Sequence, residues 1–203
     1  MTDLLSEALP TTWHGLPINA DFRPMVWLAS AYARREPEAD PAAFAARAVQ
    51  RFWRDPQRFL GRPDRLAEGY TGMLEFFRAG EDAAGAGQEA PDASAPEVLP
   101  FDYRCDAPYI LAGFQRLYRI DLTTERIHWF RFRALLRGLI GEECMFSRII
   151  DWRCADLAEK TPEERQFYER QRAAFALPQT LRGGAVHART LGEHEAAFLA
   201  RFR

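Results

Sequence analysis

The stretch YRIDLTTERIHWFRFRALLRGLI, residues 118–140, decides the fold. Its apolar residues recur at the helical spacing of about 100° per residue and cover most of the circumference of the predicted helix. They are Ile127, Trp129, Phe130, Phe132, Leu135, Leu136, Leu139 and Ile140. Because a helix that is apolar nearly all round needs neighbours on several sides, we predict that this segment lies in the interior. Thr123 or Thr124 is its predicted N-cap.

One narrow stripe of this predicted helix is polar and consists of Arg126, Arg133 and Arg137. The stripe has the charge to bind phosphate, but clustered lysines and an adjoining aromatic platform are missing from it. We therefore favour a solvated stripe, or a contact for an acidic protein partner, over nucleic-acid binding. Arg131 falls outside the stripe, and if it were buried it would need a carboxylate, for which Asp121 is the nearest candidate.

Start signals precede the other predicted helices, in the form of a capping residue, a proline in the first turn or negative charge at the helix start. They occur at Asn19 or Asp21, and at Asp40, Pro63, Asp106, Glu142 and Thr161. Residues 11–18 predict a small hairpin that turns at His14 and Gly15. We therefore predict an all-α fold, a compact bundle of about seven helices with a small N-terminal β-hairpin.

The composition changes at residues 80–100, which contain no aromatic residue and few large apolar ones. Such a stretch cannot bury enough surface to offset its ordering entropy, so a disordered mid-chain linker is predicted. It divides a single helical domain, residues 1–178, into an N-terminal part, 11–79, and a C-terminal part, 101–178. Residues 179–203 are predicted to form a flexible tail with a short terminal helix.

The predicted terminal helix carries an apolar stripe that is a candidate protein-binding surface. The stripe consists of Leu191, Phe198, Leu199 and Phe202. The alternative, in which this stripe folds back on the core, is equally open.

Composition and motifs argue against several classes of function. The formal net charge of −2 gives no basic excess for nucleic acid, and no apolar run approaches the roughly 18 residues of a membrane span. Three cysteines without a Cys-x-x-Cys pair suit a reducing cytoplasm, with free and mostly buried thiols. The histidines show no metal-binding spacing, and His128 is interpreted as a hydrogen-bonded core residue. No catalytic, cofactor or metal site is predicted.

Three segments resemble the bacteriophage gene product fifteen family. One is the run Tyr-x-Ile-Asp-Leu from Tyr118, followed by His128-Trp129 and the apolar positions after them. The second is INADFR, residues 18–23, which is similar to that family's Ile-Asn-x-Asp-Phe-Arg. The third begins at FDY, residues 101–103, and continues through Asp106, Tyr109-Ile110 and Phe114. Together these segments fall within residues 10–178, which is most of the chain.

Such families lie among siphophage tail genes, so the resemblance implies a tail assembly chaperone that acts with the tape measure protein in the host cytoplasm. The major tail protein is a second candidate partner, and no enzymatic activity, cofactor or small-molecule substrate is expected. A structural tail-completion or connector protein of the virion is the alternative. The oligomeric state, including a homo-oligomer, stays open, as does the choice between an active phage and a prophage.

Overall fold

The computed structural model describes residues 7–34, 36–83, 100–158 and 160–182. Of these described residues 63% are helical, and seven of the described helices contain ten or more residues. These are α1 (Phe22–Ala33), α3 (Pro41–Phe52), α4 (Pro63–Ala83), α5 (Ala107–Tyr118), α6 (Trp129–Leu139), α7 (Met145–Cys154) and α8 (Pro162–Ala174). Two helices of four residues, α2 (Glu36–Ala39) and α9 (Gln179–Arg182), and a 3-10 helix (Pro56–Arg58) complete the described helical structure.

The β structure among these residues is one antiparallel hairpin, β1 (Thr12–Trp13) and β2 (Leu16–Pro17). His14 and Gly15 form its turn, and both have a positive φ, which suits a tight two-residue connection. The predicted fold class, all-α with a small N-terminal hairpin, is therefore confirmed.

Several helices begin where the sequence predicts, and for the predicted reason. The side chain of Asp21 accepts a hydrogen bond from the Arg23 backbone N–H at the start of α1. The side chain of Asp40 accepts one from a backbone N–H in the first turn of α3. Thr161 caps α8 as predicted, and together with Glu164 it forms a capping box. Each of these signals acts within one helical turn, so the local sequence is sufficient to specify it.

Helix α6 begins at Trp129, later than predicted, and neither Thr123 nor Thr124 caps it. Thr123 instead donates two hydrogen bonds, from its backbone N–H and its hydroxyl, to Oδ1 of Asp121 at 2.8 and 2.6 Å. The hydrogen bond from the Thr123 hydroxyl lowers the pKa of the Asp121 carboxyl most, and the bond from the Thr123 backbone N–H lowers it further. Arg126 therefore precedes the helix, and the predicted stripe that joined it to Arg133 and Arg137 is wrong.

The predicted interior position of this segment is confirmed for most of its apolar side chains. Trp129, Phe130 and Leu139 have no exposed surface, and Phe132 and Leu136 are at most 2% exposed. Leu135 is only half-buried, and Ile140 is 43% exposed because it lies in the turn after α6. Arg131 is exposed, so it needs no buried carboxylate.

The chain divides into two compact units. Within the described residues, the first contains residues 7–83 and 126–134, and the second contains residues 100–125 and 135–182. The predicted domain boundaries stay a prediction. Helix α4 continues to Ala83, into the first residues of the predicted linker, whereas residues 84–99 and the predicted terminal helix lie outside the described residues.

The core of the first unit is aromatic. The Trp129 ring stacks on Phe77 with the ring centres 5.2 Å apart, and its indole N–H donates to the Phe77 carbonyl at 3.1 Å. Phe130 stacks on Phe76 at 5.0 Å. Residues of α4 and of the segment that begins α6 are thus locked together by both ring contacts and a buried hydrogen bond.

The second unit is centred on a buried ion pair. Arg153 of α7 donates to both carboxylate oxygens of Asp106 at 2.7 and 2.9 Å, and their side chains are 7% and 2% exposed. Asp106 was predicted to cap α5, and it does precede that helix, but its side chain makes no capping hydrogen bond. The carboxylate is instead committed to Arg153, because an arginine buried at that point needs a bidentate partner.

The cysteines differ in part from the prediction. All three are free thiols, and Cys144 is buried as expected, where its sulfur accepts a hydrogen bond from the Ser147 N–H at the start of α7. Cys105 and Cys154 are exposed, because one lies in the turn before α5 and the other at the last residue of α7.

Candidate functional site

The candidate site is built on residues 18–21, a short extended segment that leads into α1 and is held by hydrogen bonds on both sides. On one side Ile18 pairs with Trp53 in an antiparallel bridge. The backbone N–H of Asn19 donates to the Phe52 carbonyl at 2.6 Å, and the N–H of Arg54 donates to the Pro17 carbonyl at 3.2 Å. This side fixes the segment to the end of α3.

On its other side the same segment pairs with the residues just before α6. Asp21 forms an antiparallel bridge with His128. The Phe22 N–H donates to the Ile127 carbonyl at 2.9 Å, and the Trp129 N–H donates to the carbonyl of Ala20 at 2.8 Å. The INADFR run therefore connects two parts of the chain that are far apart in sequence, and this explains why residues 126–128 are extended instead of helical.

A concave groove with a volume of about 510 Å³ lies beside this segment, and we call it the arginine groove. Six of the eight residues that line it are polar or charged. The lining consists of Asn19, Asp21, Arg23, Pro24, Trp27, Gln50, Arg51 and Arg126. Three of these residues belong to the INADFR run, so the motif that carries the family resemblance also supplies one wall of the groove.

Asp21 is the one carboxylate in the lining, and it is engaged by arginine. Its side chain is 6% exposed and accepts from Nη1 of Arg23 with both oxygens, at 3.0 and 2.9 Å. Arg126 is more distant, with its Nε 3.8 Å from the carboxylate and its side chain 70% exposed. Because Asp21 also caps α1, a single buried carboxylate fixes both the helix start and the position of Arg23.

Arg51 is held in place by an aromatic ring. Its guanidinium carbon lies 4.3 Å from the centre of the Trp27 ring, a cation–π geometry. Trp27 in turn stacks on Phe44 at 5.1 Å, and Nη1 of Arg51 donates to the carbonyl of Arg47 at 3.3 Å. These two contacts position the Arg51 guanidinium at the groove.

The electrostatic character of the groove follows from these groups. Three guanidiniums and one carboxylate leave an excess of two positive charges in the lining. Arginine does not lose its proton in proteins, and the carboxylate is already hydrogen-bonded to Arg23. The arrangement is therefore suited to holding anionic groups through charge-assisted hydrogen bonds, and poorly suited to transferring protons.

His128 does not line the arginine groove, but its backbone pairs with Asp21, which does. Its Nδ1 accepts from the Phe130 N–H at 3.1 Å, so its Nε2 carries the proton and donates to the Pro10 carbonyl at 2.9 Å. Burial lowers the pKa of this imidazole below its ordinary value. The interpretation of His128 as a hydrogen-bonded residue is confirmed, although its side chain is only partly buried.

Of the three arginines that the sequence predicted as a binding surface, Arg133 and Arg137 still lie one helical turn apart on α6, whereas Arg126 precedes the helix. Arg126 lies in the arginine groove, Arg133 is placed 5.5 Å from the Trp129 ring, and Arg137 is exposed near the end of α6. The apolar residues of the predicted terminal helix, from Leu191 to Phe202, lie outside the described residues. The prediction that they bind protein stays a prediction.

Sequence reasoning did not predict the other residues of the groove. Asp21 was predicted to cap a helix, and no binding role was predicted for Trp27 or Arg51. The available signal was the INADFR run, which contains Asn19, Asp21 and Arg23. The neighbouring position of Arg51 and Arg126 depends on tertiary pairing and has no local signature.

A comparison with known protein families identifies this chain's family. A family described as Bacteriophage Gp15 protein matches residues 65–177, which is more than half of the chain. The chain belongs to this bacteriophage family. Neither the curated proteins nor the solved structures contain a match.

Membership of the bacteriophage Gp15 protein family indicates a phage protein related to the virion. The matched range includes Arg126 but begins after the INADFR run, so most of the arginine groove lies outside it. Across the described ranges, no set of three His, Cys, Asp or Glu side chains is arranged to hold a metal ion. None of the described helices has both the length and the apolar character needed to cross a bilayer.

Proposed function

We propose that this member of the bacteriophage Gp15 protein family is a tail assembly chaperone that binds the tape measure protein during siphophage tail morphogenesis. The observation that carries the proposal is the family match over residues 65–177. The resemblance of the INADFR run and of residues 118–140 to the same family supports it. The protein acts in the host cytoplasm and has no enzymatic activity, and the major tail protein is its second candidate partner.

The mechanism we propose is physical. A tape measure protein is expected to be a long helical chain that aggregates unless its surface is covered. The chaperone provides grooves and surfaces to that chain until tail subunits polymerise around it, so recognition of a helix in a groove is the expected mode. The groove lining agrees with a binding role, because its arginines are permanent cations and its carboxylate is already paired.

Co-expression of the full chain with the tape measure protein tests the proposal. The expected result is capture of the tape measure protein by the tagged chain, together with a larger soluble fraction of that partner. A second full-length variant, with serine at Leu191, Phe198, Leu199 and Phe202, tests the terminal stripe. Unchanged capture by this variant would remove the stripe from the interface.

Proteomics of purified phage particles distinguishes the chaperone from the structural alternative. A chaperone leaves the assembly and is expected to be absent from the finished particle. A tail-completion or connector protein would be found there in a fixed number of copies, and that result would overturn the chaperone proposal.

A further inference from the structure

The arginine groove has the chemistry of a recognition site for acidic side chains. Resting on the proposed function, we infer that this groove binds an acidic segment of the protein partner, whose carboxylates are held by Arg51 and Arg126. Trp27 is a positioning residue that acts through Arg51.

The positive charges of the groove lining exceed what its one carboxylate can neutralise. The carboxylate of Asp21 is bound by Arg23 with both oxygens, whereas Arg126 reaches it only at 3.8 Å. Arg51 makes no ion pair with any residue that the structure describes, and its polar contact is with a backbone carbonyl. Two guanidiniums thus face the groove with most of their hydrogen-bonding capacity unused, and a carboxylate is the group that matches a guanidinium in geometry.

Two contacts within the chain position the Arg51 side chain. The contact with the Trp27 ring at 4.3 Å and the bond to the Arg47 carbonyl hold this guanidinium in one position. Immobilising a flexible side chain at an interface costs about 0.5–1.5 kcal/mol. Because these contacts already position Arg51, that cost is reduced when a ligand binds.

Protein is favoured over nucleic acid as the source of the anion. The whole chain has a net charge of −2, so it offers no basic excess to a phosphate backbone that would extend beyond the groove. Trp27 already contacts Phe44 and Arg51, so its ring is not an open platform for a base. A volume of about 510 Å³ accommodates a few side chains, not a long backbone.

Fluorescence anisotropy with a labelled octaglutamate peptide tests the ligand class. The full chain is expected to bind this peptide, with an affinity that falls as the salt concentration rises. Arg51→Gln and Arg126→Gln should each weaken binding by roughly tenfold, since each removes a charge-assisted hydrogen bond. Arg116→Gln is the matched control, because this arginine is exposed, lies in α5 and makes the same change in net charge.

Two results of this titration would overturn the inference. One is an affinity for octaglutamate that the groove substitutions change no more than Arg116→Gln does. The other is tighter binding of a labelled octathymidylate strand than of the peptide, which would indicate a nucleic-acid site. Thermal unfolding of each variant tests whether a lost affinity reflects a lost fold. Because Arg51 and Arg126 are exposed, their substitutions should leave the fold intact.

The role of Trp27 is tested by its coupling to Arg51. Trp27→Leu keeps an apolar side chain but removes the ring, so it should weaken octaglutamate binding in the otherwise natural chain. In the Arg51→Gln background the same substitution should have almost no further effect, because the group that it positions is gone. Equal losses in both backgrounds would assign Trp27 a structural role only.

Capture of the tape measure protein separates the groove from the proposed function. The expected result is capture by the natural chain and by Arg116→Gln, and loss of capture by the Arg51→Gln, Arg126→Gln double variant. If the double variant captures the partner normally, the groove assignment fails and the chaperone proposal stands. If the natural chain binds octaglutamate through these arginines but captures no tape measure protein, the proposed function fails and the acidic-segment site stands.

Discussion

Gly80 of α4 lies directly against the indole ring of Trp129, with no room for a side chain. A Cβ added at this glycine would overlap the indole nitrogen and would stand 2.8 Å from Cδ1 of Phe130. The same indole donates its N–H to the Phe77 carbonyl, so the ring cannot move away without losing a buried hydrogen bond. The close approach of α4 to the start of α6 therefore depends on this glycine.

Gly80→Ala should destabilise the protein. Alanine normally favours a helix over glycine by about 1 kcal/mol, but overpacking a filled core costs about 1–3 kcal/mol. The steric effect should prevail here because the neighbouring atoms belong to two fully buried rings. Urea denaturation is expected to show a lower midpoint with an unchanged slope.

The smaller variant Trp129→Phe provides the control for this steric explanation. It lacks the indole nitrogen that the new methyl group would meet, so Gly80→Ala should cost less in this background than in the natural chain. Strictly additive losses in a double-mutant cycle would contradict the explanation and would point to an effect on helix propensity alone.

Arg153→Met should cost about 3–5 kcal/mol of the free energy of unfolding, because it leaves the buried carboxylate of Asp106 without a counter-charge. The substitution also removes the hydrogen bonds that Arg153 donates to the carbonyls of Phe175 and Pro100, at 2.8 to 3.1 Å. Chemical denaturation followed by circular dichroism measures the loss.

Two comparisons make the Arg153 result specific. Arg62→Gln breaks an ion pair with Asp64 whose side chains are 70% and 59% exposed, and it should cost far less stability than Arg153→Met does. Adding Asp106→Leu to Arg153→Met should recover part of the stability, since no unpaired charge remains. A double variant as unstable as Arg153→Met alone would show that the carbonyl contacts dominate.

Local signals in the sequence were sufficient for much of the fold. Asp21, Asp40 and Thr161 specify helix starts through hydrogen bonds that span two or three residues, and such bonds can be read from the sequence. The apolar periodicity around Trp129 likewise indicated a buried helix, since burial depends mainly on composition and spacing.

Contacts between distant residues could not be predicted. The backbone bonds that hold residues 126–128 extended come from residues 20–22, so they overrode a helical pattern that continued into this stretch. Asp106 was interpreted as a cap because Arg153, its partner, lies 47 positions away. The arginine groove likewise depends on contacts between distant residues. Arg51 and Arg126 line the same groove because the INADFR run pairs with the end of α3 on one side and with the residues before α6 on the other.

The stability of the protein should fall as the pH falls below about 6.5, the ordinary pKa of histidine. Burial lowers the pKa of His128 in the folded chain, so the unfolded chain binds the proton more readily. This contribution is fully present above the unfolded pKa and is lost as the pH falls toward the folded one. A protonated ring would also lose its bond from the Phe130 N–H.

His128→Gln tests this assignment, because an amide does not titrate in this range. Urea denaturation between pH 7.5 and 5.5 should show a smaller loss of stability for the variant than for the natural chain. Equal slopes of stability against pH would show that other groups account for the acid sensitivity.

Asp21 has two roles that substitution can separate. Asp21→Asn keeps an oxygen that can cap α1 but removes the charge that binds Arg23, so it should cost roughly 1.5–3 kcal/mol. Asp21→Ala removes the cap as well and should cost about 1 kcal/mol more. Denaturation curves for the two variants give both values, and an equal loss would show that the cap contributes nothing.

The same substitution gives a functional prediction that runs opposite to the loss of stability. Asp21→Asn removes the only negative charge in the lining of the arginine groove, so the folded variant should bind octaglutamate more tightly and with a steeper dependence on salt. Anisotropy titrations at two salt concentrations, at a temperature where the variant is fully folded, measure both effects. Weaker binding by the folded variant would mean that Arg23, once released from Asp21, blocks the groove.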